Sequence, residues 1–283
     1  MAWRNNAVAA SLCCQGNTMT DRTLSLYNGE VTLAFSGDPQ HCYMWREIGK
    51  PVRAFSSIKE RLGIGPAIAQ WQVNMAIQHI KDNLCLGIQE GDTLPPMSLE
   101  WLEEICREAK TAARRSAKQA ANIGTIVHKF AERVLVDRRA AIPSDPQAAK
   151  GAAAFLDWLH SHQVDPINTE RMVLSRRWYY AGTVDFFGRI DEELCVLDFK
   201  TSSGFYIEMP LQLAAYAIAL EEELGLKIDK GLIVRLDKKT GKCQVYTVEL
   251  TRATKDAFIR LAELDQLMTK LEDQIDAIRA KAA

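Results

Sequence analysis

The chain has 283 residues, 47% hydrophobic and 25% charged, which suffices for one large domain or two small ones with a sizeable core. Its formal net charge of −1 and pI near 6.5 exclude a global basic field, so a polyanionic partner has to be held by a local patch or through metal ions. No run approaches the ~18 apolar residues of a membrane span, and seven scattered cysteines with no C-x-x-C pair and no zinc-type Cys/His spacing read as reduced thiols of a soluble intracellular protein.

In chain order, residues 1–21 read as a flexible extension. The stretch "MAWRNNAVAASLCCQGNTM" holds one Arg and a short small-residue run, a weak signal for a secretory or organellar leader, and a mobile extension is the simpler expectation. Residues 22–55 carry the alternating runs "VTLAF" and "HCYMW" between turn signals at Asn28-Gly29, Gly37-Asp38-Pro39 and Gly49-Lys50-Pro51, and predict a small β-meander or hairpin. From Ser56 the period becomes helical, with Ile68, Trp71, Met75 and Ile80 near helical spacing in "GPAIAQWQVNMAIQHIKDNL". A turn follows at Pro95-Pro96. The segment from Ser98 to Arg139 is helix-rich with a break expected at Gly124, and "AAKGAAAFLDWLHSH" predicts a further helix.

A β-rich section comes next: Asn168–Trp178, Thr183–Ile190 and Leu194–Lys200, the last two joined by the turn Asp191-Glu192-Glu193. "PLQLAAYAIALEEEL" is a helix, and "GLIVRLD" and "CQVYTVEL" are two more strands. Phe258, Leu261, Leu264, Leu267, Leu271, Ile275 and Ile278 stripe a long C-terminal amphipathic helix, suited either to packing within the chain or to a partner. This order gives an α/β fold of the α+β kind, with a central mixed β-sheet flanked by helices.

Side chains alternate along a strand, so Asp198 and Lys200 share a face with Leu194 and Val196 while Phe199 points the other way. Alone, D-x-K reads most simply as a salt bridge at a strand end, since unpaired buried charges are costly. Asp185 on the neighbouring strand alters that reading. Two converging carboxylates repel each other more than one Lys can cancel, whereas a hard divalent cation with oxygen ligands would cancel them. A Lys beside such an ion can orient a water that the ion activates, while the ion polarises a phosphoryl oxygen. His128 lies at the start of a helix whose face carries Ala131, Glu132 and Leu135, as a capping residue, a core residue or a ligand. Gln212 and Tyr216 lie one helical turn apart, as a surface pair or as part of a site.

The ordered set "GTIVH", "GTVDF", "LDFKTS" and "QLAAY", spanning Gly124 to Tyr216, resembles the RecB-type branch of the PD-(D/E)XK nucleases, which includes phage-type exonucleases and the mitochondrial genome-maintenance exonuclease. N-terminally, "HCYMWREIGKPVRAFSSIKERLG" is loosely similar to the leading hairpin and helix of phage-encoded members. The resemblance implies a restriction-endonuclease-like core at 121–250, preceded by a β-hairpin and helical, DNA-guiding region at 22–120 and followed by the C-terminal helix at 251–283. It implies Mg²⁺ or Mn²⁺, one or two ions, ligated by His128, Asp185, Asp198 and the Phe199 backbone carbonyl. Asp185, Asp198 and Lys200 would be catalytic, supported by Gln212 and Tyr216, with Glu170 as an auxiliary acid. No iron–sulfur cluster and no ATP are expected, because the cysteine ligands of some relatives and any G-x-x-x-x-G-K-[ST] loop are absent.

The activity so implied is metal-dependent exonucleolytic hydrolysis of DNA in recombination, repair or replication, in bacterial or phage-infected cytoplasm. The partners would be single-stranded or duplex DNA ends and a single-strand annealing or binding protein. Residues 107–139 contain nine Lys or Arg against three acids. That run is either a solvated helix face or a basic wall leading into His128. Candidate phosphate contacts are Arg114, Arg115, Lys118, Lys129, Arg176, Arg177 and Thr201, while Trp178, Tyr179 and Tyr180 are either core or a base-stacking surface. Two competing readings are a catalytically silent nucleic-acid-binding recombination protein of the same fold and a hydrolase of another phosphate ester.

Overall fold

A computed structural model describes residues 22–36, 42–63, 65–84 and 97–282. The expectations for residues 1–21 and for the turns at Gly37-Asp38-Pro39 and Pro95-Pro96 lie outside the described residues. The chain packs as two compact units, one ending at Val52 and one beginning at Arg53.

The first unit is an antiparallel meander of β1 (Arg22–Leu26), β2 (Val31–Ser36), β3 (Cys42–Trp45) and the first residues of β4 (Lys50–Ala54). The β1/β2 connection turns on Tyr27, Asn28 and Gly29, all at positive φ, where Asn and Gly are the residues that tolerate a left-handed backbone. The expected turn at Gly49-Lys50-Pro51 is instead a turn ending at Gly49 followed by strand. Lys50 and Pro51 pair with Trp45 and Met44, and Pro is admissible at a strand's first residues because it forfeits only one ladder donor.

The second unit starts with the end of β4 and continues through α1 (Phe55–Lys59), α2 (Pro66–Leu84), α3 (Leu99–Val136) and α4 (Pro146–His160). It then runs through β5 (Val164–Ser175), β6 (Tyr180–Ile190), β7 (Glu193–Lys200), α5 (Glu208–Leu224), β8 (Lys230–Leu236), β9 (Cys243–Glu249) and α6 (Arg252–Ala282). Pairing in this unit is mixed: β5/β6, β6/β7 and β8/β9 are antiparallel, while β4/β6 and β7/β8 are parallel. The mixed α+β architecture expected from the element order is therefore the one observed. A parallel neighbour needs a crossover, and α5 supplies it between β7 and β8.

Strand alternation sends apolar residues to two cores, one on each face of the sheet. Val173, Val184, Val196 and Ile233 pack with α5 and with Phe258, Leu261 and Ala262 of α6. On the other face, Leu197, Phe199, Leu232 and Val234 pack with Val127 and Phe130 of α3 and Phe155 and Trp158 of α4. Burying each such side chain contributes roughly 1.5–3 kcal/mol. Beyond Asp265 the apolar stripe of α6 is exposed, with Leu267 at 58% and Ile278 at 67%.

The helix break expected at Gly124 is absent, because α3 runs unbroken for 38 residues from its Ser98 cap, whose hydroxyl accepts from Trp101 N at 3.2 Å. One Gly costs only about 1 kcal/mol against Ala, which a long helix with a buried face absorbs.

Asp265, 1% exposed, fastens α6 to the start of the unit. It accepts from Arg53 Nε at 2.9 Å and Nη2 at 2.7 Å, and from Arg61 Nε at 2.8 Å. Burial alone would push its carboxyl up, but the two guanidinium groups outweigh burial and hold it below the usual carboxylate range. Asp265→Ala leaves two guanidinium groups facing a vacated pocket. Because Arg53 is 43% exposed and Arg61 keeps Glu272, a loss of about 1–3 kcal/mol in urea unfolding is expected, and an unchanged stability would mean that Glu272 and solvent already satisfy both arginines.

Candidate active site

The β6/β7 ladder closes from Ile190↔Glu193 as far as Phe186↔Leu197 and stops there. One residue further on stand Asp185 and Asp198. The Asp185 carboxylate then takes the place of a backbone acceptor, its Oδ2 receiving the Phe199 N–H at 2.8 Å. An acid side chain inserted between two strands holds them apart while keeping a buried donor satisfied. This local parting of the strands makes the site.

Asp198 lies between Leu197 and Phe199, which point into the α3/α4 core, so its side chain faces the α5 side with only 2% exposure. Its Oδ2 contacts the Lys200 ammonium but makes no aligned hydrogen bond. Lys200 Nζ donates to Gln212 Oε1 at 3.0 Å, and Gln212 Nε2 donates to Tyr216 Oη at 2.7 Å. The first turns of α5 therefore fix the direction of the lysine. His128 Nδ1 of α3 lies 3.5 Å from Asp185 Oδ2, and its ring meets the Phe199 ring edge-on at 6.2 Å. Phe199 in turn packs on Phe155 at 5.3 Å, so the residue between Asp198 and Lys200 anchors the strand end in the core.

The charges follow the packing. Burial, then the neighbouring Asp198 carboxylate, push the Asp185 carboxyl up to about 6 against the opposing pull of His128, Lys200 and the Phe199 N–H. Burial draws the Lys200 ammonium down, but Asp198 and Asp185 outweigh it and hold it above the ordinary lysine range. Among the described residues no three His, Cys, Asp or Glu side chains are already drawn together as an ion-holding group. The donor chemistry nonetheless suits a hard divalent cation, with one imidazole nitrogen and two mutually repelling carboxylates, although Asp198 Oδ2 is here taken up by the Lys200 ammonium.

Glu170 falls between the pairs Thr169↔Phe186 and Arg171↔Val184, level with Asp185, and holds a left-handed φ of 48°. Such a backbone costs about 1–3 kcal/mol for a non-glycine residue, so the ladder is distorted on both sides of Asp185. Arg114, Arg115, Lys118 and Lys129 are exposed on α3. Arg176 and Arg177 sit in the β5/β6 turn, where Glu222 accepts both their N–H groups at 2.9 and 3.1 Å. The Arg177 guanidinium lies 5.0 Å over the Trp178 ring. Neither arginine lines the cleft beside His128 and Lys200, which Thr201 does. Of the three neighbouring aromatics, Tyr179 is exposed, but Tyr180 is core: it is 1% exposed and its hydroxyl donates to Ala215 O at 2.7 Å.

Two positions carry structural roles that the motifs alone did not reveal. A Cβ on Gly182 would lie 2.8 Å from Tyr216 Cε1, so only glycine lets the Tyr216 ring rest on β6. A glycine inside a strand is the available signal for such a close approach. Lys238, in the connection between β8 and β9, donates from Nζ to Ala120 O at 2.8 Å and borders the same cleft as His128.

No protein-family model matches the chain, and no curated protein matches it. Among solved structures, one described as "Crystal structure of SSO0001" is 16% identical, with 71% of this chain and 86% of that chain covered and a TM-score of 0.33. That likeness carries no argument about fold or chemistry. No helix among the described residues is long and apolar enough to cross a membrane.

Proposed function

We propose that the chain is a metal-dependent deoxyribonuclease of the RecB-type PD-(D/E)XK branch, acting as an exonuclease on DNA ends in recombination, repair or replication. The observation that carries this reading is the parting of β6 and β7 at Asp185 and Asp198, with Lys200 against Asp198 and His128 3.5 Å from Asp185. A salt bridge capping a strand end explains Asp198 and Lys200 but not a second buried carboxylate beside them, which burial and then Asp198 raise.

His128, Asp185, Asp198 and the Phe199 carbonyl would hold Mg²⁺ or Mn²⁺, which when bound supplies Lewis-acid polarisation of a phosphoryl oxygen and acidifies water. The protein's own part is positional. Gln212 and Tyr216 hold the Lys200 ammonium on the Asp198 face, where it orients the attacking water and offsets charge gathering on the phosphoryl group. Phe199, wedged among Phe155, Trp158 and His128, keeps the strand end from yielding when the acids are drawn together.

The test is incubation of purified protein with Mg²⁺ or Mn²⁺ and single-stranded, blunt and tailed DNA labelled at either end. Progressive shortening that EDTA stops is expected. Gln212→Ala should retain the same products at a rate lower by about 10–100-fold, the range for partners that orient a metal site. DNA left intact with both ions removes the proposal.

A further inference from the structure

Beside the two aspartates, a cleft of about 390 Å³ opens between α3, the end of β7 and the β8/β9 turn. Its lining is Gly124, Thr125 and His128 with Ala120 and Ala121 from α3, then Lys200, Thr201 and Ser202, and Lys238 from the turn. Its lining residues are two lysines, a histidine and three hydroxyl residues, of which Thr125 donates to Ala121 O at 3.1 Å and Ser202 to Gly204 O at 2.8 Å while Lys200 is held on the α5 side by Gln212, and among the described residues that line it there is no carboxylate. The cleft beside α5 and α6 differs: Glu221, Glu222, Asp229 and Asp256 sit among its Arg177, Lys227, Arg252 and Lys255.

Lys238 spends one proton on Ala120 O, which pins its head at the rim, and keeps two for a ligand. Burial and then the adjacent Lys239 pull its ammonium below the ordinary lysine range, an arrangement that an arriving anion relieves. The Thr201 hydroxyl makes no hydrogen bond among the described residues. A Cβ on Gly124 would lie 2.8 Å from that hydroxyl, so the glycine keeps the floor of the cleft open. Along α3, Arg114, Lys118, Ala121, Thr125 and His128 follow one another at three- and four-residue steps and so share a face. At 1.5 Å per residue, Lys118 and Arg114 rise about 15 and 21 Å from His128, continuing the cationic line away from the cleft.

We propose that this cleft is a second phosphate subsite, in which Lys238 and Thr201 hold a backbone phosphate next to the phosphodiester addressed by Lys200. The substrate is then a polynucleotide and not a mononucleotide ester. The inference rests on the hydrolase reading for the neighbouring phosphate, but its binding test does not.

The experiment titrates the full chain into a fluorescent single-stranded oligonucleotide in EDTA across a salt series, reading anisotropy, with thermal melts of every variant. Lys238→Ala should weaken binding about tenfold, and the slope of log affinity against log salt should shrink by about 0.7, the value for one lost contact to a single strand. Lys238→Arg should keep the slope, and Thr201→Val should weaken binding severalfold without changing it. A folded Lys238→Ala with an unchanged slope overturns the proposal; if that variant fails to fold, wild-type binding by Thr201→Val overturns it. Oligonucleotides with and without a terminal phosphate identify the occupant. A phosphate-dependent gain that Lys238→Ala abolishes means the terminal monoester, and equal binding means an internal phosphodiester. Cleavage with Mn²⁺ is scored separately. Binding of this kind without cleavage fails the hydrolase reading alone, and cleavage with a slope indifferent to Lys238 fails the subsite alone.

Discussion

Asp198→Asn is expected to lower divalent-metal-dependent DNA hydrolysis by about 1,000-fold while leaving the melting temperature within a few degrees of the parent. The two halves of that statement have different physical origins. Activity falls because a neutral amide neither holds a cation nor repels Asp185. Stability is spared because the substitution removes one attraction and one repulsion together. Lys200 loses its nearest carboxylate but keeps Gln212 Oε1 at 3.0 Å and the charge of Asp185. Asp185 loses the neighbour that helps to raise it, so it ionises more readily and pairs better with Lys200 and His128. The contrasting variant is Lys200→Ala, which leaves two carboxylates in a buried site with no ammonium between them and should cost several kcal/mol as well as activity. Urea unfolding and initial-rate assays on the two proteins separate the effects. An Asp198→Asn protein with near-parental rates would remove Asp198 from the chemistry, whatever its stability.

The second large effect is on stability against pH without metal. Burial and then the Asp198 carboxylate raise the Asp185 carboxyl to about 6 in the folded protein, against an ordinary value of 3.8. Between those values the native state binds the proton that the unfolded chain has released, so this group's contribution is fully present below about 3.8 and is lost as pH rises through about 6. By pH 7 the loss is on the order of a few kcal/mol. Metal-free protein should therefore gain stability from this group as pH is lowered from 7 to 5, and Asp185→Asn should flatten that limb of the curve. Mn²⁺ competes with the proton for the same carboxylate. It should raise the melting temperature at pH 7 by several degrees and barely at pH 5. The check is a set of thermal melts at stepped pH for parent and Asp185→Asn, each with Mn²⁺ and with EDTA. Parallel curves for the two proteins would show that Asp185 is not the titrating group.

The succession of strands and helices is legible because segments buried on more than one face stand out as near-continuous apolar runs between turn signals, as in "VTLAF", "GLIVRL" and Leu211 to Leu220. Acids set inside such apolar runs are equally legible, as Asp185 and Asp198 are, with Lys200 two residues beyond Asp198 on the same face. Gly124 was misread for a physical reason: local propensity disfavours it in a helix, and only the approach of Thr201 across space shows what its missing Cβ accommodates. Tyr180 stands next to the exposed Tyr179, and nothing in the local pattern reveals the Ala215 carbonyl that makes it core.

What the sequence by itself determined about this protein is therefore what depends on neighbours a few residues apart: the strands, the helices, and which face of each strand carries the acids. Only the tertiary structure decided the rest, because it depends on contacts made across the fold. It placed His128 against Asp185, set Lys200 on the relay of Gln212 and Tyr216, parted β6 from β7 with a carboxylate, tied Arg53 and Arg61 to Asp265, and brought Lys238 from a plain turn to the cleft beside them. Residues 110 positions apart have no period in common, and the energy that joins them comes from desolvation and charge, which exist only once the chain has closed.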